Sequence, residues 1–399
     1  MVQLPPQTTI LQVIPDLNSG GAERTTLDVA RAVVESGGKA LVVSQGGQMV
    51  RELQELGAQH ITLPVKSKNP LTIWKNTGRL ADLIEEHDVS LIHARSRAPA
   101  WSSLWASRRS HIPFVTTYHG TYNQANALKS FYNSVMARGD AVIANSRFIA
   151  GLIKERHGFA ADRITVIQRG SDLKGLDPDN VSALRQQALK DSWGVPNGHP
   201  IVLNMARLTA WKGQKVVIEA MALLKEKGRQ EPIAILAGDA QGRDGYTAEL
   251  KKLIADHGLQ GHVRLVGHCS DVPAALALSE IAVVASIEPE AFGRAAVEAQ
   301  AASVPVIVSD LGAVPETVLA PPEVKDVERT GWRVPPGDAQ ALASAIESAL
   351  QQEPEARKQL TDRARDHVRQ NFSVETMCNK TLEVYDRLLS KGVPEQNAA

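Results

Sequence analysis

The sequence predicts two doubly wound α/β domains in succession, and three observations carry that expectation. Short apolar, β-rich runs alternate with helix-length stretches in two consecutive series. Aromatic residues are only 4% of the chain while Ala, Val, Leu and Ile are plentiful, which suits parallel strands covered by helices better than an aromatic-rich sandwich. A polar segment from Ser171 to His199, punctuated by Gly175, Pro178, Pro196 and Gly198, separates the two series and reads as a linker region.

In the first series, the β-rich run Thr9 to Ile14 is followed by the turn Asn18-Ser-Gly20-Gly21 and a helical stretch from Ala22 to Val34. Strands are then expected at Ala40 to Ser44, Ser90 to His93, Phe114 to Thr117 and Asp140 to Asn145. The second series has strands at Pro200 to Met205, Ile233 to Ala237, Val263 to Val266, Ile281 to Ala285 and Val304 to Ser309. Beyond Asp338 the pattern is helical, broken near Pro354 and again at Phe372-Ser373. Domain limits of 1–175, 176–372 (with the linker at 176–199) and 373–399 follow, and the tail after Gly392 is expected to fray.

A chain of 399 residues with 43% hydrophobic and 22% charged residues can bury sizeable cores. Its formal net charge of zero gives no bulk attraction for nucleic acid. Cys269 and Cys378 lack metal-type or redox-type spacing, which favours a reducing compartment. The N-terminus shows no signal-sequence pattern and no apolar run reaches the ~18 residues of a membrane span, so a cytoplasmic location is expected.

The most informative motif is Glu290-Ala-Phe-Gly293-Arg-Ala-Ala-Val-Glu298, which follows the apolar run Ile281 to Ser286. Pro289 ends the strand and Gly293 opens a helix, whose first amides lack intrahelical partners and carry partial positive charge. An anion can bind there without a dedicated side chain. Side chains on a helix lean toward its N-terminus, so Glu298 is expected to point back toward the turn that holds Glu290. Those amides could then hold a phosphate, Glu298 a ribose diol and Glu290 a donor sugar. The plainer reading makes Glu290 a helix cap and Glu298 a solvated residue.

Met205-Ala-Arg207-Leu-Thr-Ala-Trp-Lys212-Gly213 also joins a strand to a helix, and its two cations can converge on one diphosphate. Asn18-Ser-Gly20-Gly21 lets backbone approach a ligand at a helix start, although it lacks the third glycine of a dinucleotide fingerprint. Tyr118-His119-Gly120 follows a strand at the edge where open α/β sheets place ligands. His93 ends another strand and is open between a structural and an acceptor-side role. Asn145, Arg169, Gly238 and Asp239 lie at or near further strand ends.

Together these stretches resemble the retaining nucleotide-sugar glycosyltransferases of family GT4. The E-x7-E pair, the Arg-Leu-x-x-x-Lys-Gly loop and the Thr-x-His-Gly position carry the likeness, which extends from the glycine loop to Glu316. Ala206 and Ala313 stand where relatives commonly have glycine. The resemblance implies a GT-B architecture: two Rossmann-like domains facing a cleft, with the last helix, Val374 to Leu389, crossing back to the N-terminal domain. It implies an acceptor-binding N-terminal domain and a donor-binding second domain. By the same resemblance Arg207, Lys212, Gly20, Gly21, Phe292 and Gly293 serve the donor diphosphate, Glu298 the ribose, and Glu290 and His119 the transferred sugar as catalytic residues. His93, Asn145, Arg169, Gly238 and Asp239 are expected as further donor or acceptor contacts.

The implied reaction moves a hexose-type sugar with retention, with the leaving phosphate helping to deprotonate the acceptor and no protein nucleophile. No cofactor is expected. Asp177-Pro-Asp179 matches a D-x-D metal pattern in form, but its linker position favours a cap or turn, and no metal is expected. The segment from His93 to Tyr122 is similar to bacterial lipopolysaccharide-core transferases, which implies an envelope glycolipid or lipopolysaccharide-core acceptor. Arg95, Arg97, Arg108, Arg109 and His111, with an expected helix from Ala127 to Arg138, could face the inner membrane as a peripheral surface. A nucleotide-sugar epimerase and a non-catalytic nucleotide-sugar sensor are the alternatives.

Overall fold

The computed structural model describes residues 2–18, 20–122, 126–229 and 231–390. The chain divides into two units, one of residues 1–170 together with the segment from 374 onward, the other of 171–373. The tail after Gly392 lies outside the described residues.

In the first unit the elements run β1 (Thr9–Val13), α1 (Gly21–Glu35), β2 (Lys39–Ser44), α2 (Val50–Glu55), β3 (Gln59–Thr62), α3 (Pro70–Glu86) and β4 (Leu91–Ala94). They continue with α4 (Arg97–Ser110), β5 (Phe114–Tyr118), α5 (Ala127–Asn133), β6 (Ala141–Ala144), α6 (Arg147–Arg156) and β7 (Ile164–Val166). All pairings are parallel, in the order β3-β2-β1-β4-β5-β6-β7. The order reverses between β1 and β4, so ligands are favoured at the carboxyl ends of those two strands. Strands β1, β4, β5 and β6 are buried throughout and mostly apolar, as a doubly covered sheet needs.

The second unit opens with α7 (Ala183–Ser192), β8 (Ile201–Met205), α8 (Gln214–Glu226), β9 (Ile233–Ala237), α9 (Asp244–Asp256), β10 (Val263–Gly267) and α10 (Val272–Ala277). Then come β11 (Ile281–Val284), α11 (Arg294–Ala301), β12 (Val306–Ser309), β13 (Trp332–Val334), α12 (Ala339–Leu350) and α13 (Pro354–Asn371). Its parallel sheet has the order β10-β9-β8-β11-β12-β13, with the reversal between β8 and β11. One core joins this sheet to α8 and α12; a second joins it to α11 and α13. The polar segment read as a linker contributes to the second of these, with Leu176, Trp193 and Val195 all buried.

The last helix, α14 (Val374–Ser390), belongs to the first unit. Its apolar face, Met377, Cys378, Leu382, Val384 and Tyr385, is buried in the same core as Leu27, Ala30 and Val33 of α1. The doubly wound pair and the returning C-terminal helix are therefore both present.

One local expectation is corrected. The helix expected from Ala127 to Arg138 stops at Asn133 and continues as a 3-10 turn over Ser134–Ala137. The tighter winding turns the apolar residues to different sides: Val135 and Met136 are fully buried, whereas Leu128 and Phe131 stand in solvent.

Candidate functional site

In the second unit, the chain leaves β8 through Ala206 and Arg207, makes one 3-10 turn over Ala210–Lys212, and enters α8 through Gly213. Gly213 adopts a left-handed φ of 70°, and a Cβ there would lie 1.8 Å from the Ala285 carbonyl oxygen. Only glycine lets this turn rest on the end of β11. The Ile287 amide donates to the Trp211 carbonyl at 2.8 Å, which ties the loop after β11 to the loop after β8.

That seam brings two of the predicted residues together. Lys212 Nζ donates to Glu290 Oε1 at 2.7 Å, with the two side chains 15% and 12% exposed. The Ser286 hydroxyl donates to the same carboxylate oxygen, and the Lys212 ammonium lies 4.3 Å from the centre of the Trp211 ring. The Glu290 backbone is held as well, its carbonyl accepting from Ala313 at 2.9 Å. Arg207, by contrast, is exposed; the Gln214 side chain fixes its carbonyl at 3.0 Å.

Gly293 caps α11 with a φ of 89°, as the turn to an amide-lined helix start requires. Glu298 leans back one turn, and its Oε1 accepts from Arg294 Nε at 2.5 Å. It shares a cavity of about 20 Å³ with Met205, Val272, Leu276 and Ala295.

Three expected contacts have partners within the second unit. The Phe292 side chain is 5% exposed and packs on Phe372 with ring centroids 5.6 Å apart, so only its backbone is left for a diphosphate. Gly238 donates its amide to the Gly267 carbonyl at 2.7 Å, and a Cβ there would sit 1.8 Å from the Ala206 carbonyl, which explains the glycine by close packing. Asp239 turns one carboxylate oxygen onto the Gln241 amide at 2.8 Å as a turn residue. Asp177 of the D-x-D stretch caps a 3-10 turn and pairs with Arg365 at 2.5 Å, while Asp179 is exposed.

In the first unit, His93 is fully buried, with Nδ1 2.6 Å from the Tyr385 hydroxyl and Nε2 2.8 Å from Thr117 Oγ1. Both ring nitrogens are engaged, which joins β4 to α14 and to β5. His119, Asn145 and Arg169, which leave β5, β6 and β7, are instead brought together around one cavity of about 20 Å³ with Thr25, Arg95 and Thr117. Among the described residues His119 Nε2 and Asn145 Oδ1 are buried without a partner. Burial holds the His119 imidazole well below the ordinary histidine range, and Arg95 and Arg169 add to that, so it is neutral at physiological pH. The Arg169 guanidinium lies against Gly21, where a Cβ would come within 1.7 Å of Nη2. Gly20 stands at the N-cap of α1 and Gly21 is its first residue.

Sequence reasoning missed Ser286 and Trp211 and registered Arg95 only as local positive charge. The signals available were slight. Ser286 is a hydroxyl at a strand end four residues before Glu290, and Arg95 directly follows a buried strand.

Two family profiles span most of the chain: Glycosyltransferase Family 4 matches residues 19–174 and Glycosyl transferases group 1 matches residues 185–367. Among similar proteins, a D-inositol 3-phosphate glycosyltransferase of Jonesia denitrificans is 27% identical over 320 residues, 74% of this chain and 71% of that protein. A glycosyltransferase from Rickettsia africae, known as a crystal structure, is 36% identical with a TM-score of 0.87, covering 97% of this chain and 100% of that one. Anabaena Alr3699/HepE, crystallised with UDP-glucose, shares the fold at 24% identity and a TM-score of 0.78, over 96% and 100% of the two chains. With two doubly wound units, a returning C-terminal helix and the E-x7-E turn in place, this chain belongs to the GT4 glycosyltransferases of the GT-B fold, transferases that draw on a nucleotide-sugar donor.

Proposed function

We propose that this enzyme moves a hexose-type sugar, with retention, from a nucleoside diphosphate sugar to an envelope glycolipid or lipopolysaccharide-core acceptor. The observation that carries the reading is the Lys212–Glu290–Ser286 cluster at the β8–β11 reversal, where a cation and an oriented carboxylate meet at the carboxyl edge of the sheet. In this reading Arg207 and Lys212, with amides at Gly20, Gly21, Phe292 and Gly293, neutralise the diphosphate. Glu298 holds the ribose, and Glu290 and neutral His119 contact the transferred sugar. Such donors stabilise the leaving group electrostatically, so the chemistry depends chiefly on positioning. Donor hydrolysis across UDP-, GDP- and ADP-sugars, with and without acceptor lipid extracts, tests the proposal: one donor class turns over, and an extract raises its consumption. Hydrolysis of none of them, with or without extract, favours the sensor reading.

The same reading makes transfer independent of a divalent metal, since Asp177 is committed to Arg365 and the cations serve the diphosphate. EDTA should leave the initial rate within about two-fold of the untreated enzyme, a change of under 0.5 kcal/mol in barrier. Abolition by EDTA with rescue by Mg²⁺ or Mn²⁺ would refute this.

Among the described residues no helix is long and apolar enough to cross a membrane. Peripheral contact is supported by an exposed cluster on the first unit: Leu128, Phe131, Trp105 and Phe159 are exposed, and the Arg138 guanidinium lies 5.9 Å from the Phe131 ring and 5.5 Å from that of Phe159. Rings beside cations suit the headgroup level of an anionic bilayer. Replacing Leu128 and Phe131 together by serine should cut co-flotation with anionic vesicles several-fold without changing donor hydrolysis in solution. Equal flotation of parent and double variant would remove this surface from the proposal.

A further inference from the structure

Arg95 leaves β4 at the strand-order reversal of the first unit and is 3% exposed. Its Nη2 donates to Thr25 Oγ1 at 2.7 Å, and among the described residues its Nε has no partner and it makes no ion pair. A guanidinium cannot shed its proton, so a buried one without a counter-charge costs several kcal/mol.

The surrounding elements offset that cost only in part. From α1, Asp28 is the nearby carboxylate; burial pushes it up to about 6, and it faces Arg24, Arg31, Arg95 and Arg169 without pairing with Arg95. From α14 come the Cys378 thiol and the Tyr385 hydroxyl, the latter already engaged by His93. Arg95 shares its cavity with Arg169, with the unpartnered buried atoms His119 Nε2 and Asn145 Oδ1, and with Thr25 of α1. Helix α1 begins at Gly21, against which Arg169 rests. A cavity of about 20 Å³ admits one oxygen-sized group. Water would fit but would leave the charge uncompensated.

We infer that Arg95, in the cavity it shares with His119 and Asn145, receives one anionic oxygen, phosphoryl or carboxylate, of a substrate bound at the first unit. This rests on the glycosyltransferase reading and adds to it that a substrate presents negative charge at the β1–β4 reversal. Two substrates could supply that oxygen: an acceptor bearing its own phosphate or carboxylate, or the donor diphosphate.

The experiment combines calorimetric titration with thermal denaturation on the full chain. Inorganic phosphate is titrated into Arg207→Ala and into Arg207→Ala carrying Arg95→Met, so that phosphate at the donor cations does not mask the signal. Arg95→Met should lower phosphate affinity about ten-fold or more, as loss of a charge-assisted contact does. Without phosphate it should melt at or above the temperature of its parent, because a buried unpaired charge has been removed. Should Arg95→Met not fold, Arg95→Lys carries the test: it keeps the charge but not the fork, and should bind phosphate several-fold more weakly. Phosphate affinity unchanged by the Arg95 variant that folds, or no phosphate binding to Arg207→Ala at all, would overturn the inference. UDP titrated into Arg95→Met in the otherwise native chain identifies the source. Native UDP affinity assigns the oxygen to the acceptor, and a matching loss assigns it to the donor diphosphate. The donor reading is tested apart from this, since UDP affinity unaffected by Arg207→Ala undermines that assignment whatever Arg95 does.

Discussion

Lys212→Ala is expected to weaken nucleoside diphosphate binding by about ten-fold or more and also to lower the melting temperature, whereas Arg207→Ala weakens binding alone. A charge-assisted contact to an anion is worth about 1.5–3 kcal/mol, which sets the affinity loss for both cations. The stability difference comes from what each cation does before donor arrives. Lys212 neutralises Glu290 in a pair that is mostly buried, so its removal strands a carboxylate with the Ser286 hydroxyl as its remaining side-chain partner. Breaking a partly buried pair from one side costs about 2 kcal/mol, or several degrees in melting temperature for a unit of this size. Arg207 is exposed and its removal strands nothing. Calorimetry with UDP, GDP and ADP and thermal denaturation of both variants check the two effects. Unchanged nucleotide affinity in both would sink the diphosphate assignment.

Glu290→Gln is expected to lower kcat by about a hundred-fold with little change in donor KM, the signature of a contact made near developing charge. The amide keeps the shape but loses the charge that Lys212 Nζ and the Ser286 hydroxyl orient. His119→Ala should act on kcat in the same direction. Glu298→Gln should instead raise the donor KM about ten-fold and leave kcat nearly intact, because a ribose contact serves ground state and transition state alike. Ser286→Ala separates orientation from charge: it leaves the Lys212 pair and releases one hold on the carboxylate, so kcat should fall by a smaller factor than in Glu290→Gln. Steady-state kinetics over donor concentration distinguishes these outcomes. If Glu290→Gln, His119→Ala and Glu298→Gln all turn over donor like the parent, the donor site has been assigned to the wrong residues.

Much of the fold was legible because parallel strands buried on both faces must be apolar along their length, and a chain that alternates them with helices has few ways to fold. Ile233–Ala237 and Ile281–Val284 announce themselves in this way. The strands that escaped notice, Gln59–Thr62, Ile164–Val166 and Trp332–Val334, are the edges β3, β7 and β13. An edge strand is covered less, so polar residues such as Gln59, His60 and Thr62 are tolerated there and the apolar signal disappears. The segment 171–199 misled for the converse reason: a few apolar residues, Leu176, Trp193 and Val195, seat it in a core although its overall composition is polar.

The glycine turns and the chemistry at strand ends were also local properties. Gly213 and Gly293 adopt left-handed conformations that the sequence marks by the residue itself, and Glu298 lies one turn from Arg294 by helical spacing alone. Tertiary structure decided which partner each side chain meets, since those partners are far apart in the chain. Lys212 finds Glu290 78 residues away, and His93 meets Tyr385 at a separation of 292. Burial is settled the same way: Arg95 reads as one more surface cation in sequence, and only the packing of α1, β4 and α14 turns it into a desolvated charge.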